Sequence, residues 1–390
     1  MATTLVTAPS LEFLQLSPLA CDAEFLRQWK QLEQESCCGN AFLSPEFVRS
    51  LAPHRLDETE VQILACRDTA RRRLLGLGIF QHTSGTKTLP LPHLISWQDP
   101  HVYRSGLLLS NESQTQFFQS LVEFVHKTPN GLMGIEFTNL RVDSPWAREL
   151  REVTASRGGS FRLIPETSCP AVILPELGVK GLEQNWSSSR RKSIRKNQRR
   201  LEAHGPVSFQ ILESSTDKAP ALRRFLQLEQ NSWKGEMGTA LACRREDAGF
   251  ARQLVWEAAN SEFLAISELK AGTEVAATAL NFVSGPELFA FKIAWNSRFE
   301  NCSPGTLHEV ALVEYLRQHR PGIIRIDSCA HSDSYLSGLW PHRITVGNGL
   351  LCTAKIARGA GKLVTKLQSL KRWASHQIAI DDASSSGESE

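Results

Sequence analysis

Long apolar runs are missing from this chain. No stretch approaches the ~20 residues that a membrane-spanning helix requires, so no transmembrane segment is expected. Residues 1–18 have no basic cluster ahead of an apolar core and include Glu12, unlike a secretory signal. A cytoplasmic protein is the expectation. No Cys-x-x-Cys occurs among the nine cysteines, and Cys37 and Cys38 read as two small apolar residues near a turn. An odd, scattered set suits reduced thiols better than a disulfide framework, and no metal is expected. Excess charge is also missing: 44 basic against 41 acidic residues leave +3, too balanced to imply a polyanion partner. Tyrosine is scarce, with only Tyr103, Tyr315 and Tyr335, so few phenolic acids are on offer.

What the chain has is ordinary globular bulk. It holds 390 residues, 41% hydrophobic and 22% charged, and a chain of this length is expected to form two domains. One order of elements occurs twice. In the first half, residues 61–66 and 74–81 read as a hairpin, 106–109 as a strand, 114–127 as a helix and 134–139 as a strand. In the second half, 263–270 and 275–283 read as a hairpin, 288–295 as a strand, 307–318 as a helix and 323–327 as a strand. The expectation is α/β, with two units of one architecture, each a mixed, mostly antiparallel sheet flanked by helices.

The most informative stretch runs from strand 288–295 through a turn-rich loop to Ser303, Pro304, Gly305, Thr306 and Leu307. A helix that opens on Pro-Gly presents free N–H groups and the positive end of its dipole, which suits a phosphate. Gly305 would let the backbone approach an anion closely, and the Thr306 hydroxyl is a candidate cap. The matching helix of the first half follows Ser110-Asn111-Glu112-Ser113 instead. If one copy binds a phosphorylated cofactor, it is the second.

Between the copies, residues 190–200 hold Arg190, Arg191, Lys192, Arg195, Lys196, Arg199 and Arg200 on a helical pattern, with Ser187 or Ser188 as cap. No aromatics are interleaved for base stacking, so nucleic acid is not expected. A solvated face and a positive rim around an anionic substrate, with Arg191 and Arg195 as contacts, both remain open. Residues 355–373 place Leu363, Val364, Leu367, Leu370 and Trp373 among basic residues at helical spacing. They fit either a helix packed on the domain or a peripheral contact with an anionic membrane. The acidic, serine-rich residues 381–390 are expected to be disordered.

Three segments carry a family resemblance. Trp233-Lys234-Gly235 with Gly238-Thr239-Ala240, Phe291-Lys292-Ile293-Ala294-Trp295 running into Ser303–Leu307, and Ser189 to Asn197 resemble the CelD/BcsL branch of the GNAT acyltransferases. The last segment is also similar to the opening of the second domain in Fem-type aminoacyltransferases. The resemblance spans roughly residues 42–355. It implies a tandem GNAT fold: residues 1–170 form a domain without the cofactor motif and 171–356 one that binds acyl-CoA, followed by 357–390. It also implies acetyl-CoA or another acyl-CoA as co-substrate, with its pyrophosphate on the amides around Ser303–Leu307, and a role in cellulose or exopolysaccharide production. Family members commonly place Tyr-Lys after the strand that ends here at Asp327; Tyr335 is followed by Leu336, so no role of that lysine transfers.

Such chemistry needs a carbonyl held against backbone N–H donors, a base for the nucleophile and an acid for the leaving thiolate. Asp327 and His331 are candidate bases, and Tyr335 is the candidate acid. Glu229 and Glu309 rank lower, because both fall in helical patterns where a carboxylate ordinarily faces solvent. Trp233 is a candidate wall of the substrate cleft, Lys234 a contact for an anionic acceptor, and Lys292, in mid-strand, is expected to point into the cleft. The leading reading is an acyl-CoA-dependent N- or O-acyltransferase of polysaccharide or envelope synthesis. A Fem-like aminoacyltransferase using charged tRNA and a non-catalytic scaffold for a synthase are the alternatives.

Overall fold

The computed structural model describes residues 3–8, 11–36, 38–55, 61–112, 114–127, 131–353 and 359. The expectations for 355–373 and 381–390 therefore lie outside the described residues. In the first half the elements are β1 (Thr3–Ala8), β2 (Leu11–Leu16), α1 (Ala23–Glu35), α2 (Pro45–Arg55), β3 (Val61–Asp68) and β4 (Arg73–Thr83). They continue with β5 (His93–Ser96), β6 (Leu108–Leu109), α3 (Gln114–Lys127), β7 (Gly134–Arg141), α4 (Trp146–Ser156) and β8 (Ser160–Ile173). The second half holds α5 (Ser188–Glu202), β9 (Val207–Leu212), α6 (Ser215–Gln230), α7 (Trp233–Glu236), α8 (Arg245–Glu257) and β10 (Leu264–Ala271). Then come β11 (Glu274–Ser284), β12 (Glu287–Trp295), α9 (Pro304–His319), β13 (Arg325–Asp327) and β14 (His342–Cys352).

The mixed α/β architecture and its duplication match expectation. The hairpin β3–β4 answers β10–β11, and each half has one parallel strand pair, β5 with β7 and β12 with β13. A helix joins the members of each pair, α3 in the first half and α9 in the second. Strand 106–109 shrinks to β6, and the parallel partner of β7 is instead β5, a strand not expected from sequence.

One sheet runs through the whole molecule in the order β1-β2-β3-β4-β5-β7-β14-β8-β13-β12-β11-β10-β9, with β6 beside β4. Its centre is woven. β14, from the C-terminal half, lies between β7 and β8 of the first half, and β8 pairs with both β14 and β13. Residue 170, the expected domain boundary, thus falls inside a strand that serves both halves. Two glycines permit this insertion. A Cβ on Gly134 would stand 2.1 Å from the Leu351 carbonyl oxygen, and one on Gly347 2.0 Å from that of Ile164.

The halves also share a core. Phe42 packs on Phe289 with ring centroids 5.8 Å apart, and Phe47 on Phe282 at 5.6 Å. Such pairs contribute about 0.5–1.5 kcal/mol each beyond their buried area. Buried ion pairs join the same seam, Arg104 with Asp327 and Arg141 with Glu287.

Candidate active site

β13 is short and reaches only Glu287, Leu288 and Phe289 of β12, whereas β12 continues to Trp295. Beyond Phe289 the β13-side edge of β12 is therefore unpaired. On its other side the ladder to β11 slips between Leu280 and Asn281, so that Phe291 is an extra residue. A bulge of this kind re-aims side chains and frees backbone groups. A cavity of about 250 Å³ opens along this edge, reaching from β12 to Glu309 on α9, Lys234 on α7, the Ser328–Ala330 turn, Tyr335, and Tyr103 of the first half.

Glu309 is the chemically distinctive group. It is 2% exposed, and among the described residues its Oε2 has no hydrogen-bond partner. Its Oε1 lies 3.5 Å from His308 Nδ1. His308 is held in turn by Ser267, whose Oγ lies 2.8 Å from Nε2, and Ser267 also accepts from Asn281 Nδ2 at 3.1 Å. Asn281 and Glu309 line the cavity together. α9 lies against β10 and β11, so the face bearing His308 and Glu309 is turned toward the sheet rather than to solvent. This corrects the expectation of a solvent-facing carboxylate. Glu229 is fully buried too, but its oxygens are committed to Leu241 N–H at 2.8 Å and Lys234 Nζ at 3.4 Å.

Tyr335 lines the cavity and is half exposed as a residue. Desolvation, reinforced by the Glu309 carboxylate, pushes its phenol above the usual tyrosine range. Lys292 also lines the cavity. Lys234 does too, and donates to the Ile293 carbonyl oxygen at 2.7 Å. Among the described residues, no group of three His, Cys, Asp or Glu side chains converges as a metal site requires.

At the start of α9, Ser303 adopts a left-handed conformation (φ 49°), and no side chain caps the helix. Thr306 is therefore not the cap that its position suggested. The first intrahelical bond runs from Leu307 N–H to Ser303 O at 3.2 Å, which leaves the N–H groups of Gly305 and Thr306 ahead of it. Pro304 occupies the first position, where a missing N–H costs nothing. A Cβ on Gly305 would meet Trp295 Cδ1 at 3.6 Å and Ile293 Cδ1 at 3.8 Å, ordinary contacts. Packing does not demand this glycine; its bare Cα leaves the approach to the helix end open. The Leu307 side chain is buried in the core under α5 and serves packing.

Several expected site residues lie elsewhere. Asp327 is wholly buried and bound bidentately by Arg104, Oδ2 to Nε at 2.8 Å and Oδ1 to Nη2 at 2.7 Å. Its remaining acceptor capacity receives Cys329 N–H at 2.8 Å. Although burial alone would raise its pKa, Arg104 holds the carboxyl below the usual aspartate range. A carboxylate so braced and wholly buried is closed to a substrate, and it does not line the cavity. His331 is exposed and paired with Asp333 at 2.9 Å, away from the cavity wall. Trp233 is 57% exposed and sits on the surface next to Lys234 rather than lining the cavity. Arg191 donates to the carbonyl oxygens of Glu183 (3.1 Å) and Trp186 (2.7 Å), bracing the turn ahead of α5. Arg195 pairs with Glu183 on the surface and borders a separate groove of about 610 Å³ between α5, β9 and α9.

Of the residues singled out from sequence, Lys234, Lys292 and Tyr335 line this cavity; Asn281 and Tyr103 line it too, and Ser267 and His308 stand behind it, none of them singled out as a site residue beforehand. The available signal was the His308-Glu309 pair one turn into a helix that opens on Pro-Gly.

Comparisons with known proteins bear on the fold. Residues 188–335 match the family model "Acetyltransferase (GNAT) domain". Among solved structures the chain is similar to FemX, with 10% identity, a TM-score of 0.56, and 83% of this chain and 95% of that one covered. It is also similar to the C-terminal domain of a lysylphosphatidylglycerol synthetase from Agrobacterium fabrum (12%, TM-score 0.51, 88% and 96%). A third similar structure is L-PGS from Bacillus licheniformis (14%, TM-score 0.51, 87% and 95%). No curated protein matches the chain in sequence. Among the described residues, no helix is long and apolar enough to cross a membrane.

Proposed function

We propose that this chain, a transferase by its match to the GNAT acetyltransferase domain over residues 188–335, moves an acyl group from acyl-CoA to an amine or hydroxyl. Acetyl-CoA is the simplest donor. The carrying observation is Glu309, a buried carboxylate with one unpartnered oxygen, facing the same cavity as Tyr335 beside the unpaired edge of β12. The donor's pyrophosphate would rest on the Gly305 and Thr306 amides, where the dipole of α9 favours negative charge.

In this reading Glu309 takes the proton of the acceptor amine or hydroxyl as it attacks the thioester carbonyl. The new C–N or C–O bond places negative charge on the carbonyl oxygen, which backbone N–H groups of bulged β12 stabilise. Collapse breaks the C–S bond, and Tyr335 gives its proton to the departing thiolate. His308, anchored by Ser267, stands beside Glu309 with its Nδ1 3.5 Å from Oε1. Residues 1–170 carry no counterpart to the Pro-Gly helix start and serve as the partner half that contributes Tyr103 and the Arg104 brace. Polysaccharide or envelope synthesis in the cytoplasm is the setting the family resemblance suggests.

A second reading, aminoacyl transfer from charged tRNA, is favoured by the likeness to FemX and by the exposed cations of α5. Calorimetry with acetyl-CoA on wild type and Gly305→Trp tests the first. Micromolar binding that is lost in the variant supports acyl-CoA. A folded wild type that does not bind, yet releases aminoacyl groups from tRNA, would replace it with the second.

A further inference from the structure

The cavity that presents Glu309 on its α9 side holds, on its other side, a cation with no counter-ion. Lys292 projects from the bulged part of β12 toward α6 and α8, whose Glu229 and Asp247 it feels through space. Neither carboxylate is free to pair with it. Glu229 is taken by Lys234 and the Leu241 N–H. Asp247 is taken by His101 Nε2 at 2.8 Å and by Arg55. Lys292 Nζ sits over the Phe291 ring, 5.5 Å from its centroid. Among the described residues, Lys292 has no hydrogen-bond or ion-pair partner.

A partly buried ammonium left in this state is costly. Burial, and next to it the neighbouring Lys234 ammonium, act against its charge, while Glu229 and Asp247 only partly offset them; the net effect holds its pKa below the usual lysine range. Lys234 differs, because Glu229 neutralises it and the Ile293 carbonyl fixes it. The cavity is therefore polarised, with an unanswered positive end at Lys292 and a carboxylate at Glu309. Ala279, Ala290 and Leu336 add apolar wall to the same cavity. Its volume, about 250 Å³, is below the ~300–1,000 Å³ of pockets for drug-sized ligands. It suits a small acceptor or the small end of a larger one.

We infer that the acceptor carries an anionic group, a carboxylate or a phosphate, in addition to its nucleophilic amine or hydroxyl, and that Lys292 pairs with that anion. The inference rests on the acyl-transfer reading of the same cavity. The anion at Lys292 turns the nucleophilic end of a short acceptor toward Glu309 and the free edge of β12. A neutral acceptor leaves the ammonium unpaired and gains no such orientation. Lys292 is thus a specificity-determining residue, and Glu309 does the proton chemistry.

The test is calorimetry on the full chain without acyl donor, using two matched pairs: O-phosphoethanolamine against ethanolamine, and glycine against glycinamide. The anionic member of at least one pair binds tenfold or more tighter than its partner. Whichever pair shows the difference tells phosphate from carboxylate. Lys292→Gln removes the preference, and Lys292→Arg keeps most of it, with thermal melts confirming that both variants fold. Equal binding within both pairs, no binding by folded wild type, or a preference surviving in Lys292→Gln each overturns the inference. Acetyl transfer to the same four compounds is a separate readout. A Lys292-dependent preference in binding, without any transfer, leaves the anion site standing and sinks the acyl-transfer reading. Equal transfer to charged and neutral acceptors sinks the anion site alone.

Discussion

Arg104 and Asp327 meet across the two halves of the molecule, the guanidinium gripping both carboxylate oxygens at 2.7 and 2.8 Å with neither side chain open to solvent. Asp327 ends the short strand beside β12, and its second role, accepting the Cys329 N–H, sets the left-handed turn at Cys329 (φ 52°) that starts the cavity wall. The pair therefore fixes where the splay between β12 and β13 begins.

Removing one partner leaves the other charge buried and alone. Arg104→Ala or Asp327→Ala should cost about 3–5 kcal/mol in urea unfolding, and the double variant Arg104→Met/Asp327→Leu should recover much of that loss. Because Arg104 lowers the Asp327 pKa in the folded state, the unfolded chain binds the proton more readily. The stabilisation is complete above the ordinary aspartate value of about 3.9 and is lost as pH falls through the lower folded value. Acid unfolding of Asp327→Asn should lack this component; identical acid profiles for variant and wild type would refute the assignment.

Glu309→Gln keeps the shape of the side chain and removes its basicity. Transfer should fall by roughly 10²–10⁴ in kcat, while the acetyl-CoA dissociation constant stays within a few-fold. A variant with full turnover would return the search for the base to other residues.

Tyr335→Phe should slow transfer from acetyl-CoA by a similar factor, again about 10²–10⁴. The loss should shrink with an acyl donor whose leaving thiol is more acidic, since that thiol needs no proton to depart. Equal losses with both donors would show that Tyr335 acts by packing alone.

Arg191 and Arg195 sit one turn apart on α5 but differ in what they hold. Arg191→Ala removes two charge-assisted bonds to backbone carbonyls and should destabilise by about 1.5–3 kcal/mol. Arg195→Ala removes an exposed ion pair and should change stability by less than about 1 kcal/mol. Chemical denaturation of both variants decides this, and the reverse order would contradict the structure.

Local signals were enough for much of this fold. The helix at Gln114–Lys127 follows its periodicity residue for residue, and the hairpin β10–β11 turns at Gly272, where φ is positive. The Pro-Gly start of α9 was legible because proline and glycine write backbone geometry directly into sequence. The same holds for the unusual Lys292, a charge set in an apolar strand. These features depend on a few neighbouring residues and their intrinsic conformational preferences.

Other features have no local cause. That β14 lies between β7 and β8 depends on hydrogen bonds formed over ~200 residues of separation, and nothing in His342–Cys352 alone specifies its neighbours. Asp327 at a strand end reads equally as a base or a brace until Arg104 arrives from the other half. Glu309 reads as a surface carboxylate until α9 is laid on the sheet and the bulge at Phe291 opens the space beneath it. Sequence thus determined most of the helices and strands and the uncapped Pro-Gly start of α9. Tertiary structure decided which carboxylate is neutralised and which is left bare, because that depends on what each one faces after the chain has folded.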